Sequence, residues 1–364
     1  MEIRSVAKGS FSDVFVTTCP NGDDPPDFNE LARLMANRHI QPIQEKFHGT
    51  LAAKEGIMQS RTAAYERARV IAEPPTYVET MPFDSEFAGV QLWGIESRRP
   101  IVSTVTTKSA TARCWSDDGA RFIYLPSVQG DPAASPTTQT EQMFAKAKAA
   151  LNELGFSFSH VIRTWIYLPR IVEWYDAFNK VRNALFTEYG LIGGTNVFPA
   201  STGIEGNSGS GRCTMDVLAV DCGDSKSVSV QPITSTSHQR QSFEYGSAFS
   251  RGYALNQGKS KTVFVSGTAS IDSEGETVHR DDGEAQIEHT LLGIQSLLSE
   301  QHLTIDQIEL ATVFCKNRTI FEIFPRVAQR FGQFPAVLVQ ADVCRPDLLV
   351  EIEALAVGKN RLAS

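Results

Sequence analysis

Apolar residues recur along this chain with two spacings, that of a helix and that of a strand, and the order in which the two alternate repeats. TEQMFAKAKAALNELGFSFSHVIRTWIYL (140–168) and AQIEHTLLGIQSLLSEQHLTIDQIELATVFC (285–315) each show helical apolar spacing, a short polar break, and a β-rich run containing Thr164 or Thr312. An apolar run precedes each helix, RFIYLPSVQG (121–130) and TVFVSGTAS (262–270), and a second helical pattern follows, WYDAFNKVRNALFTEYG (174–190) and FEIFPRVAQRFG (321–332). Each copy then closes from a Pro-Ala start into an apolar strand ending in Leu-Ala-Val, over 199–220 and 335–357. The pattern predicts an α+β fold of two tandem β-β-α-β-α-β units, each a mixed sheet covered on one face by two helices.

The N-terminal stretch matches neither copy. FNELARLMANRHI (28–40) and AAKEGIMQSRTAAYERARVIA (52–72) have helical spacing, while SDVFVTT (12–18) and FAGVQLWGIE (87–96) alternate as strands, on either side of the break at Pro74-Pro75. It is read as an extension of the first unit. The expected division is 1–222, an N-terminal unit with this extension, and 235–360, a C-terminal unit carrying the site. Between them lies the Ser-, Thr- and Gln-rich segment 221–246, a linker with the edge strand that opens the second copy.

Composition narrows the functional classes. In 364 residues, 41% hydrophobic, there is ample material for a buried core, and a net charge of −8 argues against a nucleic-acid partner. No run approaches the roughly 18 apolar residues of a membrane helix, and the first residues lack the apolar segment of a secretory signal, so a cytoplasmic protein is expected. The six cysteines show no CxxC pair and the histidines no metal-ligand spacing, which predicts free thiols and no metal.

The motifs RTWIYL, FPASTGIEG, VFVSGTAS and DVCRPDLLVEIEALAV resemble those of the chorismatases, double-domain members of the Rid (YjgF-like) superfamily with a chorismate-mutase-like fold. The resemblance covers roughly residues 85–357. It implies a lyase that removes the enolpyruvyl group of chorismate as pyruvate and requires no cofactor. It places the catalytic acid at Glu351 and the two product-determining positions at Gly267 and Cys344. Gly and Cys are the pair of the branch that forms 3-hydroxybenzoate, a product of secondary metabolism. Arg163 and Tyr167 match the Arg and Tyr of the family's RTWNY motif, with Ile166 in place of its Asn. Family members carry YHYP and then YGPR before a Phe-Ser-Arg; here SHQRQSFEYGSAFSR (237–251) keeps Arg251, and in an ungapped register His238 stands for a tyrosine and Tyr245 for an arginine, with Arg240 a substitute after a shift.

The residues support related chemistry on their own terms. Cleaving an enol ether requires a proton on its terminal carbon, hence a carboxylic acid that stays protonated near neutrality, which burial achieves. Alternation in LLVEIEALAV puts Glu351 and Glu353 on one face and Val350, Ile352 and Ala354 on the other. Cys344 has no histidine partner for thiolate chemistry and is read as a wall of the ring pocket, while Gly267 leaves room for a ring or a close backbone. A dicarboxylate needs fixed cations, for which Arg163, Arg251 and Arg345 are candidates, with Arg212 and Arg240 behind them. His238 is a base or ligand partner, and the Gly- and Ser-rich 199–211 stretch a flexible loop near the site. Two other functions compete: a Rid-type imine or enamine hydrolase, whose arginine after Pro-Ala is absent at Val337 and Ser201, and a non-catalytic binder of small aromatic carboxylates. The assembly is expected to be a monomer with pseudo-dimeric halves or a homo-oligomer.

Overall fold

In a computed structural model, described for residues 1–20, 27–239, 243 and 246–360, the chain builds three sheets. The first third contributes β1 (Glu2–Ala7), β2 (Ser12–Thr18), α1 (Phe28–Arg38), β3 (Ile40–Gly49), α2 (Lys54–Ala68), β4 (Thr76–Glu79) and β5 (Phe87–Glu96). The second comprises β6 (Ser103–Thr106), β7 (Thr111–Asp117), β8 (Ala120–Gln129), α3 (Pro136–Glu153), β9 (Val161–Leu168), α4 (Tyr175–Glu188), β10 (Ala200–Glu205) and β11 (Thr214–Asp221). The last holds β12 (Val228–Ile233), β13 (Gly252–Gln257), β14 (Ser260–Ala269), α5 (Gly283–Glu300), β15 (Ile308–Cys315), α6 (Arg318–Ala328), β16 (Ala336–Gln340) and β17 (Val350–Lys359).

The strand orders β10-β9-β11-β8-β7-β6 and β16-β15-β17-β14-β13-β12 are the same topology, with one parallel pair at the end and antiparallel pairing elsewhere. This is the mixed α+β unit expected from the repeat, and β12 is indeed the edge strand that opens the last copy. The N-terminal segment departs from expectation. Its order β4-β3-β5-β2-β1, with β3 and β4 parallel, reproduces the same topology short of one edge strand. It packs its own helices over its own core of Leu31, Met35, Phe47, Tyr65 and Leu92, so the chain holds three such layers where two were expected.

The helices cover the outer faces and the inner faces meet one another. A shared aromatic cluster joins Phe15 and Trp93 of the first unit, Trp115 and Trp165 of the second, and Phe264 of the third. Phe264 lies 6.0 Å from Trp93 and 6.5 Å from Trp165, ring centre to ring centre, so one side chain touches both other units. Polar junctions run alongside. Buried Lys8 donates to Gln257 and Thr262 of the third unit, and Gln257 donates to Asp117 of the second.

Candidate active site

Strand β17 carries both acids of LLVEIEALAV inward, as alternation requires, while Val350, Ile352 and Ala354 pack toward the helices. Glu351 is 5% and Glu353 4% exposed. Their surroundings differ. Glu353 sits in a cage of ions: Lys46 Nζ lies 3.0 Å from Oε1, Arg163 Nη2 2.9 Å from Oε2, and Thr312 Oγ1 donates to Oε1 at 3.2 Å. Burial opposes its charge, but Lys46 and Arg163 outweigh that penalty and hold its carboxyl below the usual range.

Glu351 faces a crevice between the second and third units. Burial, reinforced by the neighbouring Glu353 charge and only partly offset by Arg163, pushes its carboxyl up to about 8. Three arginines line the same crevice, Arg182 from α4, Arg251 just before β13, and Arg345 in the loop before β17. Arg345 is fixed by donating to the Gly275 carbonyl at 2.6 Å, and Arg251 lies 5.5 Å from the Phe249 ring centre. Tyr175 and Gly203 of the second unit and Cys344 of the third also line it.

Gly267 explains how the acid reaches this position. It lies where the β14–β17 register shifts, between Val265 and Thr268. A β-carbon there would overlap Glu351 Oε1 and stand 2.8 Å from its carboxyl carbon and 3.3 Å from Thr202 Cγ2. The bulge and the missing side chain together let the carboxyl lie against the neighbouring strand. The room at Gly267 is thus occupied by the acid itself. Burial pushes the Cys344 thiol up to about 12, with Glu351 adding to the effect, so it stands in the wall as a neutral thiol.

The structure gathers Glu351, Cys344, Gly267 and Arg251 into one crevice, along with Arg345, and sends other expected residues elsewhere. Arg163, 1% exposed, does not line the crevice, because its guanidinium is held by Glu353 and by Thr202 Oγ1 at 2.6 Å. Tyr167 is fully buried two pleat repeats further along β9, beneath Lys46, whose Nζ lies 5.7 Å from its ring centre. Neither Arg163 nor Tyr167 borders this crevice, because the inner face of β9 packs against the other two sheets. His238 also misses the crevice. Its ring packs 4.5 Å from that of His289 on α5. Tyr245 and Arg240 lie outside the described residues. The 199–211 stretch splits: Gly203 lines the crevice, but the following loop is pinned to the first unit, with Gly209 N and Ser210 N donating to the Glu79 carboxylate and Glu79 N donating to Asn207 Oδ1.

Among the lining residues missed in the sequence are Tyr175 and Arg182. A signal existed: Phe178, Arg182 and Phe186 form the buried stripe of α4, and an arginine in such a stripe must face polar surroundings. Among the described residues no group of three or more His, Cys, Asp or Glu side chains is arranged to hold a metal, and no helix is long and apolar enough to cross a membrane.

Residues 246–358 match the family model described as Endoribonuclease L-PSP. A chorismatase of Streptomyces hygroscopicus is 26% identical over 321 residues, 82% of this chain and 88% of that protein. A chorismatase of Streptomyces rapamycinicus is 27% identical over 268 residues, 66% of this chain and 78% of its own length. A chorismatase crystal structure at 1.08 Å shares the fold, with a TM-score of 0.68 and 19% identity over 98% of this chain and 100% of that one. Two such relatives align over most of their length, the same fold runs from end to end, and the L-PSP match lies in the last third; the chain is similar to the chorismatases, enzymes whose fold it shares.

Proposed function

We propose that this protein cleaves chorismate to pyruvate and 3-hydroxybenzoate. The observation that carries the reading is a buried carboxylic acid, Glu351, with its pKa raised to about 8, facing a crevice lined by three arginines. An acid of that kind is protonated at neutral pH and can give its proton to the enolpyruvyl methylene carbon. The positive charge then develops on the adjacent ether carbon, which carries the side-chain carboxylate. Arg182, Arg251 and Arg345 supply cations for the two carboxylates of the substrate.

With the enol ether protonated, the ring C–O bond breaks and the fragment departs as pyruvate. Where the neighbouring ring hydroxyl displaces it, the hydroxyl proton returns to Glu351 and the ring proceeds to the aromatic product without net uptake of water. Pyruvate and 3-hydroxybenzoate together account for every atom of chorismate. Where water attacks instead, the dihydrodiol results. The Gly267 and Cys344 pair supports the first route, since both border the acid, one by leaving it room and the other as a neutral wall beside it.

The test is incubation of the purified protein with chorismate, pyruvate being followed by lactate dehydrogenase and NADH and the ring product by chromatography. Equal amounts of pyruvate and 3-hydroxybenzoate are expected. No pyruvate release would overturn the reading, and ammonia release from 2-aminoacrylate in its place would identify an imine hydrolase.

A further inference from the structure

The cage around Glu353 draws one ion from each unit: Lys46 from β3, Arg163 from β9 and Glu353 from β17. All three are buried, and ions of this kind are held only where their geometry compensates for lost hydration. Two cations converge on one carboxylate, and the second carboxylate of the same strand face, Glu351, forms no ion pair or hydrogen bond with any described residue. Glu353 therefore stands as the acceptor for both cations, including Arg163, the one whose charge also reaches the acid.

We propose that Glu353, fixed by Lys46 and Arg163, is a positioning residue that keeps Glu351 in its proton-bearing form between turnovers. This rests on Glu351 being the proton donor. Without Glu353 the Arg163 cation would be left unpaired beside Glu351, and the Glu353 charge that favours the Glu351 proton would be gone, so the acid would lose its proton at lower pH. The same arrangement gives the first unit, which contributes no residue to the crevice wall, a part in the chemistry. It also gives Arg163 a role that acts through Glu353 and not through substrate. The groups that face this pair are few. Around Glu353 they are Lys46 and His48 on β3, Arg163 and Tyr167 on β9, with the Thr312 and Thr202 hydroxyls. Around Glu351 they are Arg163, Glu353, Tyr175 and Cys344, with Arg182, Arg251 and Arg345 across the crevice. His48 is held neutral over the working range, since burial, aided by Lys46, pushes it down to about 3.

The experiment compares wild type, Glu351→Gln and Glu353→Gln in two ways. The protonated-carboxyl band in the infrared, assigned to Glu351 by its loss in Glu351→Gln, is titrated without any substrate. In parallel, the alkaline limb of kcat/KM for pyruvate release is recorded. In Glu353→Gln both midpoints are expected to fall by about one pH unit or more, with kcat recovering toward wild type at acid pH. A merely structural Glu353 would lower the melting temperature and leave both midpoints in place, and an unchanged infrared midpoint overturns the proposal. If Glu353→Gln does not fold, Lys46→Met combined with Glu353→Gln preserves the net buried charge and carries the same expectation, because Arg163 is still left facing Glu351. Absence of pyruvate release by wild type together with a lowered infrared midpoint would reject the chorismate reading and leave the electrostatic role of Glu353 standing.

Discussion

Glu351 concentrates the chemistry at the scale of a single residue. Replacing it by Gln keeps its shape and removes the donated proton, so turnover should fall by at least the roughly 10²–10⁴-fold that a positioned acid contributes, with substrate affinity nearly retained. Equal activity in the two proteins would reject Glu351 as the acid. Because the acid works only while protonated and its pKa is raised to about 8, pyruvate release should hold up to that pH and decline above it. Stability carries the same signature. The folded protein binds the Glu351 proton more tightly than the unfolded chain, so this group's contribution is fully present below the ordinary carboxylate range and is lost as pH rises toward and past 8. Urea unfolding of wild type should therefore weaken relative to Glu351→Gln across that window; parallel curves would contradict the raised pKa. Gly267→Ala should act on the acid before it acts on the ring, because the added methyl group overlaps Glu351 Oε1. The single variant is expected to lose rate and shift product toward the dihydrodiol, whereas Cys344→Ala should change product with less loss of rate. A difference of about 1.4 kcal/mol between the competing barriers changes the product ratio tenfold. Unchanged ratios on chromatography of both variants would remove the pair as the branch point.

At the level of elements, the crevice is the meeting of a helix, a strand bulge and a loop from different units. The helix α4 brings Arg182 in on the buried stripe between Phe178 and Phe186, where Asn179 Oδ1 accepts from its Nη2 at 2.6 Å. Arg251 immediately precedes β13, and β14 bends around Glu351 at its bulge. Arg182→Ala and Arg251→Ala should each raise KM for chorismate far more than Arg98→Ala on the surface, since a buried carboxylate stripped of its partner loses about 2–5 kcal/mol. Wild-type KM in both would show that neither clamps substrate.

Across the whole molecule, stability depends on the junction where three inner sheet faces meet. Phe264 is 1% exposed and touches Trp93 and Trp165 of the other two units. Phe264→Ala should cost about 3–5 kcal/mol in urea unfolding, the range for losing a fully buried ring. A loss below about 1 kcal/mol would mean that the units hold together without it. The Glu353 cage lies at the same junction, so acid chemistry in the last unit depends on how the first unit packs.

Strand and helix periodicity by itself determined the two later units, the edge strand that opens the last one, and the shared face of Glu351 and Glu353, because those are local properties of an alternating or helical chain. The resemblance carried by the closing motif singled out Glu351, Gly267 and Cys344. The first unit was hidden because its topology is repeated without its residues: β4-β3-β5-β2-β1 follows from long-range pairing, which leaves no sequence period to read. The arginines show the same division. Arg163 and Arg182 each lie on a buried face of their element, and only tertiary packing made the first a partner of Glu353 and placed the second in the crevice. So too with the two glutamates. Alternation makes them equivalent, and it was the approach of Lys46 and Arg163 from other sheets that ionised one and left the other its proton, because the energy of a buried charge is set by neighbours that the local sequence does not contain.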